Sequence, residues 1–390
     1  MSSTLRVNSI SDAAGANGNA ITLATDGTCT AKLTNTVADT NLVINPHMQI
    51  NQRGLGTLTI NSGTGQYPVD RWVSRGEGGS KAFTIEQVSV ASSNLGVRNA
   101  IKVTSSQAAT VSSSDIFNVR QMVEGYNTQR INFGESGCQS MTLSFTAYSS
   151  VAGSHSGAIQ NSAQNRSYPF TYSLSANTWT DISITIPPIT DGSSWNEENG
   201  VGLRLVFDMG SGDNFRGTAG QWNSAQDEGA TGAVRILETN GATWYVTKVQ
   251  LEEGTIKSPT QKRSVADEYN RCSRYFWMIA NGSESAAGSG GSGLAPIATG
   301  NAYTSSNVFG IVPFPTRMRA APSIYKVTGT DYWDIVQNNG NTQADDVSIN
   351  RSSTTAVSLN FSSNLSVTAN YTCHIRTFNS AARLGVQAEL

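Results

Sequence analysis

Enzyme chemistry needs convergent side chains, and this sequence offers few candidates. Histidine occurs three times, at His47, His155 and His374. No HExxH zinc motif, no GxSxG nucleophile turn and no Walker-type phosphate loop is present. Among adjoining acids, Glu197-Glu198 and Asp227-Glu228 lie in polar stretches. Neighbours in extended chain point apart, so a glycosidase pair would have to be assembled from distant segments. These four read as solvated loop acids. The stretches 191–200 and 211–220 mix oxygen ligands with glycine but lack the DxDxDG order of a calcium loop. Cys29, Cys138, Cys272 and Cys373 are widely spaced, with no CxxC or Cys/His pattern, and read as reduced thiols. The expectation is no enzyme: no catalytic residue, no metal and no cofactor.

The aromatic residues point elsewhere. Trp195, Trp222, Tyr332 and Trp333 sit among Gly, Asn and Asp. An exposed ring offers a flat apolar face to the C–H side of a sugar, while neighbouring Asn, Asp and Arg take its hydroxyls. These four are the candidate glycan-binding residues. The competing reading is that they plug the ends of a β-sandwich. Trp72, Trp179, Trp244 and Trp277 lie in or beside strand patterns and read as core.

The elements that would position such rings are strands. Of 390 residues, 14% are Asp, Glu, Lys or Arg and 37 are glycine. So little charge argues against long exposed helices and fits short strands joined by turns. A formal net charge of −2 argues against nucleic acid as a partner. No apolar run is long enough to cross a membrane, and no secretion signal is visible at the start.

Residues 1–41 are small and polar, with isolated apolar positions at Leu5, Val7, Ile10, Ile21 and Leu23. They read as a terminal arm docking onto a partner, with short strands paired to another chain. Residues 42–263 carry period-two runs at 81–90, 100–104, 140–148, 180–186, 202–209 and 243–251, which predicts an antiparallel sandwich. The Gly-rich stretch 208–232 reads as a functional or mobile loop. Ser264 can cap a short helix over about 265–274, with Asp267 three residues on. Residues 264–390 hold this helix and further strand signals at 275–280, 308–314, 323–327, 347–349, 356–361 and 371–378. They predict a second, smaller β-sandwich. The fold class expected is all-β: a jelly-roll sandwich, one connecting helix, a second sandwich and an extended N-terminal arm.

Five phrases then occur in order: Asn45-Pro46-His47-Met48-Gln49-Ile50-Asn51-Gln52-Arg53-Gly54; Tyr67-Pro68-Val69-Asp70-Arg71-Trp72; Val249-Gln250-Leu251-Glu252-Glu253-Gly254 with Arg263-Ser264; Arg271-Cys272-Ser273-Arg274-Tyr275-Phe276; and Phe314-Pro315-Thr316-Arg317-Met318-Arg319. This set resembles phage tail fibre and related virion appendage proteins, over roughly residues 42–390. The resemblance implies a jelly roll similar to carbohydrate-binding modules and then a smaller β domain. It implies a virion component, often a homotrimer, that contacts other tail or capsid proteins and host surface glycan. Such a protein is assembled in the host cytoplasm. The alternatives are a virion-associated polysaccharide depolymerase and a purely architectural decoration protein. The phrases themselves read as fold determinants. Asp70 and Arg71 beside Trp72 would form a polar anchor between strand ends. Asn45-Pro46 would set an extended lead into the first strand.

Overall fold

The computed structural model describes residues 40–61, 63–79, 81–284, 294–338 and 340–390. It also gives the backbone of three short strands before them, Ser9–Ser11, Asn19–Leu23 and Cys29–Ala31. Those three pair antiparallel with one another within the chain, where sequence predicts pairing with a second chain. Leu5 and Val7 lie outside the described residues, as does most of the flexible stretch expected at 283–293.

Twelve strands build the two main sheets of the first half. They are β1 (Leu58–Ile60), β2 (Thr64–Val69), β3 (Trp72–Glu77), β4 (Phe83–Ser89), β5 (Asn99–Ser105) and β6 (Ile116–Glu124). Then come β7 (Met141–Ser149), β8 (Gly153–Gln160), β9 (Ser167–Leu174), β10 (Thr180–Ile186), β11 (Val201–Asp208) and β12 (Thr243–Glu253). They form two six-stranded antiparallel sheets, ordered β10-β7-β12-β5-β4-β1 and β9-β8-β11-β6-β3-β2. The sheets face each other as a jelly-roll sandwich. Alternation along β7 sends Met141, Leu143, Phe145 and Ala147 inward. There Phe145 meets Phe207 of β11 and Tyr172 of β9 edge-on, and Trp72 stacks on Phe207.

The outer side of the second sheet is not open. The chain from 209 to 242 crosses it as a strap, pinned by polar groups that the sheet turns outward. Arg216 donates to Asp208 Oδ2 at 2.5 Å, and both are buried. Asn118 Nδ2 donates to Glu228 Oε2 at 2.7 Å, and Ser167 Oγ to Asp227 Oδ2 at 2.9 Å. Asp227 and Glu228 are therefore not solvated loop acids, and the Gly-rich stretch is not a loose loop. Its close seating needs glycine: a Cβ on Gly217 would lie 2.2 Å from Asp227 Oδ2.

One helix of more than a turn follows, α1 (Val265–Ser273). Ser264 caps it, accepting the Asp267 amide at 3.1 Å, as its spacing predicts. The second half adds β13 (Phe276–Asn281), β14 (Pro296–Thr304), β15 (Asn307–Pro313), β16 (Ser323–Val327) and β17 (Trp333–Gln337). It ends with β18 (Gly340–Ala344), β19 (Asp346–Ser352), β20 (Ala356–Ser362), β21 (Thr372–Thr377) and β22 (Arg383–Gln387). These make a three-stranded sheet, β13-β22-β16, and a seven-stranded one, β18-β17-β21-β14-β15-β20-β19. Their core, from Ala280 to Ala388, is a hydrophobic cluster separate from that of the first half.

The ordered phrases converge where the two halves meet. Each contributes an arginine or its anchor. Arg53 lies over the Phe276 ring at 3.6 Å, and Arg71 over Tyr275 at 3.5 Å. Both reach Glu389. Arg274 and the Tyr275 hydroxyl donate to Glu124, at 2.8 and 2.6 Å. Arg319 donates to the carbonyls of Ala388, Glu389 and Asn199. Arg263 holds the carbonyl of Val43 at 3.0 Å. Gln250 accepts the Gln261 amide at 2.9 Å and so fixes the approach to Arg263. Asn45-Pro46 is a tight turn and not an extended lead. Asn45 has φ 56°, and its side chain bonds Ile50 and Asp70, closing the turn over Trp72.

Candidate functional site

The four aromatics singled out by sequence fall in two places. Trp195 and Trp222 meet edge to face at 5.9 Å, with Trp195 stacked on Phe133 at 4.1 Å and Trp222 against Tyr168 at 5.3 Å. Trp195 is buried, and its indole donates to Ser193 Oγ. Trp222 is half-buried, and its indole donates to the Pro187 carbonyl at 2.9 Å. Together they close one edge of the jelly roll. Trp333 begins β17 in the other half and is fully buried against Phe361, its indole donating to Thr328 Oγ1. Tyr332 is partly buried beside that core. Trp195 and Trp333 thus present no open ring. Polar neighbours marked strand ends and strap contacts here, not exposure.

An open aromatic group does exist, on the outer face of the first sheet. The inward alternation of β7 sends Tyr148 outward, and that of β12, with Trp244 and Val246 in the core, sends Tyr245 outward. The two are direct cross-strand partners. Trp179 precedes β10 and falls next in the row, because Thr180 pairs with Ala147. The three rings form a closed group: Tyr148–Tyr245 at 5.1 Å, Tyr148–Trp179 at 5.5 Å and Trp179–Tyr245 at 5.7 Å. All three are half-buried. Trp179, expected in the core, therefore lies on the surface. Trp277 is likewise only partly buried, packed on the second core.

Polar groups continue this row across the sheet. Tyr245 pairs with Lys102, and Lys102 with Glu86. Lys102 Nζ lies 3.1 Å from Glu86 Oε1. At the other end the Tyr148 hydroxyl donates to Asn177 Oδ1 at 2.9 Å. Three rings flanked by amide, ammonium and carboxylate groups can seat a sugar ring and hydrogen-bond its hydroxyls.

Farther along β12 a bulge at Lys248, φ 56°, turns that side chain to the same outer face. There it lies 3.4 Å from Asp181. The Thr146 hydroxyl, then Lys248 and Lys257, hold the Asp181 carboxyl below its usual range. Beyond Lys248 a groove of about 890 Å³ opens between the 91–99 turn, His47 and residues 260–263. Burial first, then Lys248, Arg263 and Lys262, push the His47 imidazole down to about 4, so it is neutral at pH 7. The remaining outer face toward Glu252 is covered, since Gln250 and Glu252 bind Ser258 of the segment crossing it.

The described residues contain no cluster of three metal-ligating side chains. Cys138, Cys272 and Cys373 are buried free thiols, and burial pushes each upward. No helix among the described residues is long and apolar enough to cross a membrane.

No protein-family model matches this sequence. No curated protein matches it either. Among solved structures, the chain is similar to the enzymatically active domain of tailspike protein 4 from bacteriophage CBA120, at 11% identity and a TM-score of 0.29. That likeness covers 55% of this chain and 21% of the tailspike chain, so about a fifth of the latter is spanned. A xylan-binding domain from Paenibacillus barcinonensis is similar at 6% identity and a TM-score of 0.26, over 57% of this chain and all of that one. A family 11 carbohydrate-binding module from Clostridium thermocellum, in complex with a mixed-linked tetrasaccharide, is similar at 11% identity and a TM-score of 0.26. It covers 53% of this chain and 99% of that one. At such identity and overlap, function has to be read from the chain's own residues.

Proposed function

We propose that this chain is a glycan-binding protein without hydrolytic activity, and that it serves as a tail-fibre-like appendage of a phage particle in host adsorption. The observation that carries the glycan reading is the open group of Trp179, Tyr148 and Tyr245 on the outer face of the first sheet. The rings are held by strand register and leave a face to solvent beside hydrogen-bonding side chains. The finer reading is supported by the ordered phrases, whose residues together build the junction between the halves. A homotrimer in the virion, with the N-terminal strands toward other tail or capsid proteins, is part of this proposal. Weak single sites would then add up through multivalency.

Affinity electrophoresis of the full chain through gels containing neutral and acidic polysaccharides tests the glycan reading. Retardation by at least one polymer is expected, reduced roughly tenfold in affinity by Trp179→Ala. Equal mobility of wild type and Trp179→Ala in every gel would refute it. Light scattering tests the trimer, and a monomer at micromolar concentration would count against it.

A further inference from the structure

The groove next to the aromatic group has a distinct chemical character. Four of its thirteen lining residues carry positive charge, Arg98, Lys248, Lys262 and Arg263, and none is acidic. The whole chain has a formal charge of −2, so this is a local concentration and not general basicity. The four do not have equal duties. Arg263 is engaged by Val43, Asn41 and Glu268. Lys248 is shared with Asp181. Arg98 and Lys262 are exposed and make no ion pair among the described residues. His47 Nε2 is buried on the groove wall without a hydrogen-bond partner. Asn94, Asn99 and Thr260 line the same space.

The groove and the rings share one face. Tyr245 and Lys248 are three residues apart on β12, and the bulge at Lys248 keeps both on the outer face, a step on the order of 10 Å. One oligosaccharide can therefore lie over both. We propose that the groove recognises an anionic substituent, a carboxylate or a phosphate, on the glycan whose neutral ring stacks at Trp179. Arg98 and Lys262 pair with the anion, and Asn94 lies beside them on the groove wall. This rests on the glycan reading above and adds a substrate class to it: acidic polysaccharide.

Gels containing polygalacturonate, a phosphomannan and a neutral β-glucan separate the possibilities for the full chain. The expected result is tighter binding to one of the acidic polymers than to the neutral one, weakening as salt rises. Lys262→Glu and Arg98→Glu should each weaken that binding roughly tenfold or more, with melting temperature unchanged. Which acidic polymer responds identifies the anion. Arg317→Glu makes the same charge change at an exposed position away from the groove and should have little effect. Equal losses from Lys262→Glu and Arg317→Glu would mean bulk attraction and overturn the assignment. So would Trp179-dependent binding that ignores Lys262 and Arg98, which would leave the glycan reading intact. Absence of any Trp179-dependent binding would remove both.

Discussion

Arg71 donates to the carboxylate of Glu389, 318 residues later in the chain, from beneath the ring of Tyr275. Arg71 is buried and Glu389 mostly so, and Arg71 sits in left-handed backbone at φ 72°. The pair joins the first sandwich to the last residues of the second half. Removing one charge leaves the other buried and unpaired, which costs about 3–5 kcal/mol. Glu389→Ala should therefore lower the free energy of unfolding by about 3 kcal/mol in urea melts. An Arg71→Met, Glu389→Leu double variant should recover much of that loss. Strictly additive losses would show that the two side chains are not coupled.

Asp70 lies beside this pair, buried, and burial raises its carboxyl to about 7 against the attraction of Arg53 and the hydrogen bonds from Gln52. The folded state thus holds a proton that the unfolded state has released above pH 4. Stability from this group is full below about pH 4 and is lost as pH rises to 7. His47 acts in the opposite sense, because the unfolded chain binds the proton that its buried imidazole refuses between pH 4 and 6.5. The comparison of wild type with Asp70→Asn isolates the first effect. Between pH 5 and 8 the wild type should lose a few kcal/mol relative to that variant. A wild type whose stability relative to that variant stays flat over this range would mean that Asp70 is ionised when folded.

Trp333 and Trp179 should separate cleanly in mutagenesis. Trp333 is fully buried, and Trp333→Ala should cost about 3–5 kcal/mol of stability. Its effect on glycan affinity should be negligible in protein that remains folded. Trp179 is half-buried, and its replacement by Ala should change stability by about 1 kcal/mol while carrying the binding loss. Thermal melts and gel mobility on the same two variants check both halves of this statement.

One buried ion pair is central to the strap. Asp208→Ala strips Arg216 of its carboxylate, and the Arg216 Nε already has no partner. The loss should be about 3–5 kcal/mol. Limited proteolysis should then cut between residues 212 and 232, where the wild type resists. Cleavage of wild type and variant at equal rates would show that the strap is held by something else.

The strand β10, with one open face, was fully legible in the sequence, whereas β8 and β9, covered on both faces, were not. The run 180–186 alternates because β10 has water on its outer side, and its limits agree residue for residue. In contrast, β8 and β9 are mostly buried on both sides, one by the core and one by the strap. Their serines, glycines and Pro169 break the alternation because they answer to strap contacts such as Ser167 with Asp227. The same confusion misplaced the aromatics. Trp333 looked exposed among polar neighbours that in fact begin a buried strand, and Trp179 looked buried beside a strand that in fact shows its edge. The clue to the open group was present in β7. If Met141, Leu143, Phe145 and Ala147 face in, Tyr148 faces out. Its meeting with Tyr245 required the pairing of β7 with β12, which no local pattern encodes. The phrase arginines were legible as fold determinants, but the meeting of Arg53 and Arg71 at Glu389 was not, being a contact across most of the chain.

The strap also makes the jelly roll a one-sided plate. With its back covered by the buried Arg216–Asp208 pair and the hydrogen bonds beside it, the plate has one face left for the proposed binding, and every copy must be turned the same way to use it. Under the proposed glycan reading, substitutions on the exposed surface of the strap should leave binding unchanged, so the two sides can diverge independently.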